Sequence, residues 1–398
     1  MEGSQQEERV KPLELFFDLV FVFGLTQVTT MLSADPTWGG LLRGVLVLGA
    51  IWWAWAAYAW LTNTLNPEEG IVRIAMFAVM AAMLIAALAV PEAFGEHGVI
   101  FGVAYLVVRS MHLALYALAA RGDHDLLGAV LRMTPSSTIS GVLILTAGFL
   151  EGDARIALWA IALSIDYFGV VVGRGAGWRV YPGHFAERHG LIVIIAIGES
   201  IVALGVGATG TPLSAGVIVA ALLGITVAAA LWWTYFDWVS IVTEQQLRQA
   251  TLARDAYSYL HFLMVAGIVL FAVGMKKALA DFDGHLGAVL ATALCGGLAL
   301  YLLAHVLLRL RISFLINPRM GLLGRIGRGR PLAMVALIAF WPLAGEVPAL
   351  AALAVVAAVF IGLIAYEAIR YRESRSRIRH GEPATEQLMA APRIRASR

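Results

Sequence analysis

Two carboxylates stand near the start of the first apolar stretch of the chain, ELFFDLVFVF at residues 14–23. Glu14 and Asp18 are four residues apart, which places both on one face of a helix, with Thr29 close to the same line. An ionisable group near the centre of a bilayer costs at least ~2.5–3.5 kcal/mol, so this face must point at a partner, a cavity or water. Glu14 has a simpler alternative, a solvated first turn just after Lys11. Asp18 lies one turn deeper and requires a partner.

The fourth apolar stretch carries a polar stripe on an otherwise apolar helix, spaced i, i+4, i+7 and i+11. Its members are Tyr105, Arg109, His112 and Tyr116. Because Arg109 stays charged within the membrane, it needs a carboxylate or carbonyl partner. The carboxylates at suitable predicted depth are Asp18, Asp166 and Glu199, and the pair with Asp18 is the first to expect. Two interpretations stay open: a structural ion pair, or a counter-ion or anion site for transport.

Two more acidic residues stand in later apolar stretches. Glu199 lies between Gly198 and Ser200, so backbone or ligand can approach it closely. Asp237 lies in WWTYFDW, which resembles the Trp-rich stretch at 51–63. Such Trp clusters form interfacial belts at span ends or, alternatively, an aromatic cavity for a cation or an apolar substrate.

These residues give a set of candidate transport or ion-binding positions rather than a catalytic centre. The set is Glu14, Asp18, Arg109, His112, Asp166, Glu199 and Asp237. The sequence has no Walker loop, dinucleotide fingerprint or nucleophile elbow. It also has no His/Cys/Asp pattern with metal-ligand spacing. We therefore expect no enzyme activity, no cofactor and no metal site.

The amino-acid composition indicates that the helices carrying these residues lie in a membrane. Of 398 residues, 60% are hydrophobic and only 14% charged, with a mean hydropathy of +0.79, whereas soluble domains carry about 25% charged residues. The apolar runs are continuous, which excludes a β-barrel with its alternating segments. The lipid bilayer and a small ion or solute are the expected partners, and nucleic acid is not.

The chain is predicted to be an all-α integral membrane protein with about twelve transmembrane helices, each about 20 residues long. The predicted spans are 13–33, 41–62, 71–90, 99–120, 128–150, 155–173, 188–207, 214–240, 254–275, 286–309, 332–345 and 349–369. The eleventh is short and contains Trp341-Pro342, so a count of eleven is the alternative.

The distribution of basic residues predicts the orientation. With both termini in the cytoplasm, all but five of the 29 Lys and Arg residues fall on the cytoplasmic side, as the positive-inside rule requires. The five exceptions are Arg43, Arg155, Lys276, Lys277 and the intramembrane Arg109. We therefore predict an N-in, C-in protein of the cytoplasmic (inner) membrane.

Four weak internal matches recur in the same order about 180 residues apart, for example IWWAWAAYAWLTN at 51–63 with LWWTYFDWVSIVT at 231–243. They indicate two six-helix repeats, which are parallel because six is even. The predicted segments are a cytoplasmic N-terminus (1–12), a first six-helix repeat (13–173), a cytoplasmic linker (174–187), a second six-helix repeat (188–370) and a basic disordered cytoplasmic tail (371–398).

The stretches ELFFDLVFVFGLTQVT, ERHGLIVIIAIGESIVALG and YFDW resemble the bacterial low temperature requirement protein A family. The resemblance extends from about residue 10 to 370. It implies a multi-pass membrane protein named for growth in the cold, and it carries over no catalytic residue. The motif positions present here are Glu14, Phe17, Asp18, Glu187, His189, Gly198, Glu199 and Asp237.

A weaker likeness links Phe16-Phe17-Asp18 to the lysosomal-type potassium channels, whose repeats begin with Arg and Phe-Ser-Asp. Here the Ser is absent, and the later half has no second copy. The leading functional prediction is an ion- or proton-coupled transporter of a small solute. The alternatives are a two-repeat cation channel and a non-transporting structural or regulatory membrane protein linked to growth in the cold.

Overall fold

A computed structural model describes residues 9–172, 178, 180–210, 212–239, 254–316 and 327–370. These residues form twelve helices joined by short connections. The helices are α1 (Pro12–Ala34), α2 (Trp38–Leu61), α3 (Gly70–Ala89, extended by the 3₁₀ turn Val90–Glu92), α4 (Gly98–Ala119), α5 (His124–Ala147), α6 (Gly152–Val172), α7 (Pro182–Ala208), α8 (Ala215–Thr234, extended by the π turn Tyr235–Val239), α9 (Arg254–Ala280), α10 (Gly287–Ala291, the π turn Thr292–Gly296 and Gly297–Ile316), α11 (Gly329–Ala344) and α12 (Ala349–Arg370).

The length and apolar composition of these helices make the protein a multi-pass membrane protein. Within the described ranges, ten helices are long and apolar enough to cross a bilayer. The two that are not among the ten are α6, which carries Asp153, Arg155 and Asp166, and α11, which has 16 residues. The predicted all-α fold is therefore confirmed, and the predicted eleventh span is a short helix that contains Pro342.

The chain divides into two compact units, Met1–Glu199 and Ser200–Arg398. Within the first unit α4 packs against both α3 and α5, and α5 packs against α6. Within the second unit α10 packs against both α9 and α11, and α8 packs against α12. The two parallel repeats and the N-in, C-in orientation stay predictions, and the predicted basic tail at 371–398 lies outside the described residues.

Glycine allows α4 to approach α5 closely. A Cβ added at Gly102 would lie 2.5 Å from Leu145 Cα, far inside van der Waals contact, and one at Gly141 would lie 2.9 Å from Leu106 Cδ1. Because the absent side chains let the helix backbones meet, α4 can bring Arg109 directly against the side chains of α5 and α6.

Helix α7 begins six residues before the predicted span, which starts at 188. Pro182 is its first residue, and proline favours that position because its missing N–H has no intrahelical acceptor there and its φ angle suits the helix. The early start places His184 and Arg188 on one face, one turn apart. Both side chains are buried.

Candidate functional site

Glu14 lies in the first turn of α1 with its side chain completely buried. Its Oε2 accepts a hydrogen bond from the backbone N–H of Lys11 at 2.8 Å, which caps the helix. The same oxygen lies 2.9 Å from His184 Nε2 on α7. Glu14 is thus a first-turn residue, as its simpler interpretation supposed, but its carboxylate faces protein rather than water.

Arg188 of α7 is the positive partner of both α1 carboxylates. Its Nη2 lies 3.0 Å from Asp18 Oδ1, and its Nε lies 3.8 Å from Glu14 Oε1. Trp55 of α2 contacts both residues of this pair. Its indole Nε1–H donates to Asp18 Oδ1 at 2.9 Å, and its ring centroid lies 5.8 Å from the guanidinium carbon of Arg188. We call Glu14, Asp18, Trp55, His184 and Arg188 the Arg188 cluster.

The Arg188 cluster carries more charge than its internal hydrogen bonds satisfy. None of the guanidinium nitrogens of Arg188 has an acceptor in hydrogen-bonding geometry, and Glu14 Oε1, Asp18 Oδ2 and His184 Nδ1 also lack a hydrogen-bond partner. Two carboxylates face one guanidinium, so the carboxylates outnumber the guanidinium by one. A buried polar group without a partner is costly, so these atoms favour an exchangeable proton, water or a ligand.

A third carboxylate lies further along the same pair of helices. Glu199 of α7 is buried, and its Oε2 lies 2.5 Å from Thr26 Oγ1 of α1. The contacts from α1 to α7 therefore run in the same order along both helices, first Glu14 and Asp18 with Arg188, then Thr26 with Glu199. The two helices lie side by side in the same direction, and Glu14 and Thr26 are ~18 Å apart along the helix axis at 1.5 Å per residue.

Arg109 pairs with Asp166, not with Asp18. Arg109 Nη2 on α4 lies 2.7 Å from Asp166 Oδ1 on α6, and the same nitrogen donates to Ser137 Oγ on α5 at 2.7 Å. The first expected pairing of Arg109 with Asp18 is therefore wrong, because α5 and α6 pack against the face of α4 that carries Arg109, whereas Asp18 meets α7. Asp166 was among the carboxylates expected to pair with Arg109.

His112 lies one turn beyond Arg109 and is buried against α2. Its Nε2 lies 3.1 Å from Ala57 O, and its ring packs 5.5 Å from the Tyr58 ring, centroid to centroid. Because a carbonyl oxygen only accepts, Nε2 carries the hydrogen and Nδ1 is left as an acceptor without a partner. His112 thus extends the polar face that begins at Arg109.

The second unit holds Asp237 and a buried cluster that the sequence reasoning did not predict. Asp237 lies in the π turn Tyr235–Val239 and is partly exposed. Arg330, in the first turn of α11, donates to Glu367 Oε1 at 2.9 Å and to Thr234 O at 2.9 Å. Its Nη1 also donates to His305 Nδ1 at 2.6 Å. No sequence pattern indicates this cluster, because Arg330 is one of several basic residues in an Arg-rich stretch.

The sequence did carry a signal for the Arg188 cluster that the prediction missed. His184 and Arg188 are four residues apart in PGHFAERHG, the same spacing as Glu14 and Asp18 in the first helix. Matching i, i+4 pairs of opposite sign fit two helices that meet along those faces. The predicted topology instead places Arg188 on the cytoplasmic side, at the start of the seventh span.

Comparison with known proteins gives a consistent identity across the chain. Residues 9–365 match the family model described as bacterial low temperature requirement A protein (LtrA). The chain is 34% identical over 334 residues to the uncharacterized protein RA0937 of Rhizobium meliloti (strain 1021), which covers 80% of each sequence. No solved structure matches it. The chain therefore belongs to the bacterial low temperature requirement A (LtrA) family.

Proposed function

We propose that this protein is a proton-coupled carrier of a small solute in the cytoplasmic membrane, and that the Arg188 cluster takes up and releases the proton. The observation that carries the proposal is the excess of carboxylate over guanidinium in a group with no exposed charge. Ionisable residues within membrane-spanning helices mark substrate or ion pathways and proton relays, among other functions.

The donor set of the cluster favours a proton over a metal cation. Only two carboxylate oxygens, Glu14 Oε1 and Asp18 Oδ2, lack hydrogen bonds, whereas hard cations such as Ca²⁺ take six or more oxygens. The guanidinium of Arg188 lies 3.0 Å from Asp18 Oδ1 and would repel a metal ion there. A proton needs a single oxygen, so one carboxylate can bind it while the other keeps its pairing with Arg188.

The deeper Glu199 can take part in the same chemistry. Thr26 Oγ1 has one hydrogen but lies near two acceptors, Val22 O at 3.1 Å and Glu199 Oε2 at 2.5 Å. A protonated Glu199 would donate to Thr26 Oγ1 and leave the threonine hydrogen for Val22 O, whereas an ionised Glu199 would compete for it. Proton arrival and departure at Glu199 would thus switch the hydrogen bond between α1 and α7.

Proton flux into liposomes tests the proposal. Purified protein would be reconstituted with a pH indicator trapped inside, and an ammonium, a neutral sugar and a carboxylate solute would be added outside one at a time. We expect one solute class to drive saturable proton movement. The variants Asp18→Asn and Glu199→Gln are expected to reduce this movement to the level of empty liposomes.

Glu187→Gln is the matched control, because Glu187 lies on the same helix with an exposed side chain and the change removes the same charge. Its flux should equal that of the wild type. Unsaturable, voltage-dependent current would indicate a channel instead. If the wild-type protein moves no proton with any solute, the transport proposal is wrong and a non-transporting function remains.

A further inference from the structure

We infer that Arg109 and Tyr105 form a binding site for a small monovalent anion of the carboxylate type, which would be the solute of the proposed carrier. The inference rests on the proposed function for its role in transport. The binding site itself rests on separate observations, made on α4, α5 and α6.

The guanidinium of Arg109 uses only one of its three nitrogens. Nη2 binds both Asp166 and Ser137 at 2.7 Å, whereas Nε and Nη1, which carry three hydrogens, have no acceptor. Arg109 is 2% exposed, so bulk water does not reach these hydrogens. A buried N–H group of a charged side chain costs more free energy without an acceptor than one of a neutral side chain does. An acceptor from outside the chain would remove this cost.

Tyr105 adds a further donor on the same face. Its hydroxyl lacks a hydrogen-bond partner although the side chain is 1% exposed, and it is close enough to Arg109 for the two groups to interact electrostatically. The unpartnered donors of Arg109 and Tyr105 thus belong to side chains that lie one helical turn apart on the same face of α4. A group rich in unmatched donors selects a ligand that supplies acceptors, as a carboxylate does.

Asp166 does not use up the binding capacity of Arg109. Its Oδ1 accepts from Arg109 Nη2 and lies 3.4 Å from Ser137 Oγ, whereas its Oδ2 has no hydrogen-bond partner. Arg109 Nε and Nη1 do not bind Asp166, so their N–H groups are available to a second acceptor.

The charge balance sets the ligand at one negative charge. Arg109 and Asp166 already sum to zero, so a bound anion leaves its full charge in a low-dielectric interior. A single charge is offset when one proton enters the Arg188 cluster, whose excess is also one. A divalent anion would need two. The site therefore fits one-to-one, electroneutral movement of a proton with a monocarboxylate.

Equilibrium binding to purified protein in detergent tests the site without any transport. Sodium lactate and sodium formate would be titrated against thermal stability, with sodium sulfate as the divalent comparison. We expect a saturable rise in the unfolding temperature with the monocarboxylates and none with sulfate. Tyr105→Phe should weaken this binding about tenfold, the effect of one hydrogen bond to a charged group.

Tyr301→Phe is the matched control. The Tyr301 hydroxyl is buried and donates to Leu231 O at 2.7 Å, so its removal should lower the unfolding temperature and leave anion binding unchanged. Tyr105→Phe should weaken anion binding without lowering the unfolding temperature of the ligand-free protein, because the hydroxyl that it removes has no hydrogen-bond partner there.

The possible outcomes separate the two proposals. If no monocarboxylate raises the unfolding temperature, or if Tyr105→Phe binds as the wild type does, water fills the space beside Arg109 and the inference is wrong. Binding without proton flux in liposomes would keep the anion site and overturn the carrier. Proton flux driven only by the ammonium or the sugar would keep the carrier and overturn the anion site.

Discussion

Replacing Arg188 with Met and Asp18 with Asn, singly and together, tests the Arg188 cluster directly. The methionine keeps most of the side-chain volume and removes the charge. The asparagine keeps an oxygen that can accept from Trp55 Nε1, so the 2.9 Å hydrogen bond of the wild type has a replacement. Each change therefore removes chiefly a charge, and the double variant removes both charges of the pair.

The distances set the order of the effects. At an effective dielectric constant of about 20, the 3.0 Å contact of Arg188 with Asp18 corresponds to about 5.5 kcal/mol of attraction and the 3.8 Å contact with Glu14 to about 4.4 kcal/mol. Arg188→Met removes both and leaves two buried carboxylates without a guanidinium, so we expect a loss of about 3–5 kcal/mol of unfolding free energy. Asp18→Asn leaves Glu14 beside Arg188, so its loss should be smaller, about 2 kcal/mol.

The double variant shows whether the charges of Arg188 and Asp18 interact energetically. Once Arg188 is gone, Asp18→Asn removes an unpaired buried charge and should cost nothing or stabilise the protein, which gives a coupling energy of about 2 kcal/mol or more. The unfolding free energies would be measured by denaturing detergent titration in mixed micelles, followed by tryptophan fluorescence. Losses that add to within about 0.5 kcal/mol would show that the two charges do not interact and would refute the reasoning.

Two further predictions concern the close contact of α4 with α5 and the ion pair of Arg109 with Asp166. Both are measured by the same detergent titration. Gly102→Ala should cost about 1–3 kcal/mol, because its Cβ would lie 2.5 Å from Leu145 Cα. Gly205→Ala, with no atom within 4 Å, should be neutral or gain about 0.5–1 kcal/mol, and equal effects would contradict the close approach of α4 to α5. Asp166→Asn should cost about 3–5 kcal/mol because it leaves Arg109 buried without a carboxylate. A cost under about 1 kcal/mol would mean that Arg109 is already neutralised by other groups.

The helices themselves could be predicted from the sequence because a bilayer of fixed thickness demands apolar runs of fixed length. Every predicted span coincides with a helix of the described structure. The largest error is at α7: the predicted cytoplasmic linker ends at 187 and the predicted span starts at 188, although Pro182 already begins the helix. Polar residues at a helix start look the same in sequence whether they face water or a buried partner.

The partners of the buried charges were harder to predict than their positions. The sequence predicts that Asp18 and Arg109 lie at membrane depth, and Asp166 is among the predicted partners of Arg109. It did not identify Arg188 as the partner of Asp18, because pairing depends on which helix faces pack together. That choice is decided by packing between residues far apart in the chain, such as Gly102 against Leu145, and no local pattern reports it.

The contact between α1 and α7 also constrains how the protein is made. His184 and Glu14 are separated by 170 residues, which a ribosome adds in about 10–30 s at 5–20 residues per second. Throughout that interval α1 carries two carboxylates whose counter-charge has not been synthesised, and each would cost at least ~2.5–3.5 kcal/mol near the centre of the lipid. We therefore expect α1 to settle at its final depth only after Arg188 has emerged, and to wait until then at the membrane surface or in the insertion machinery.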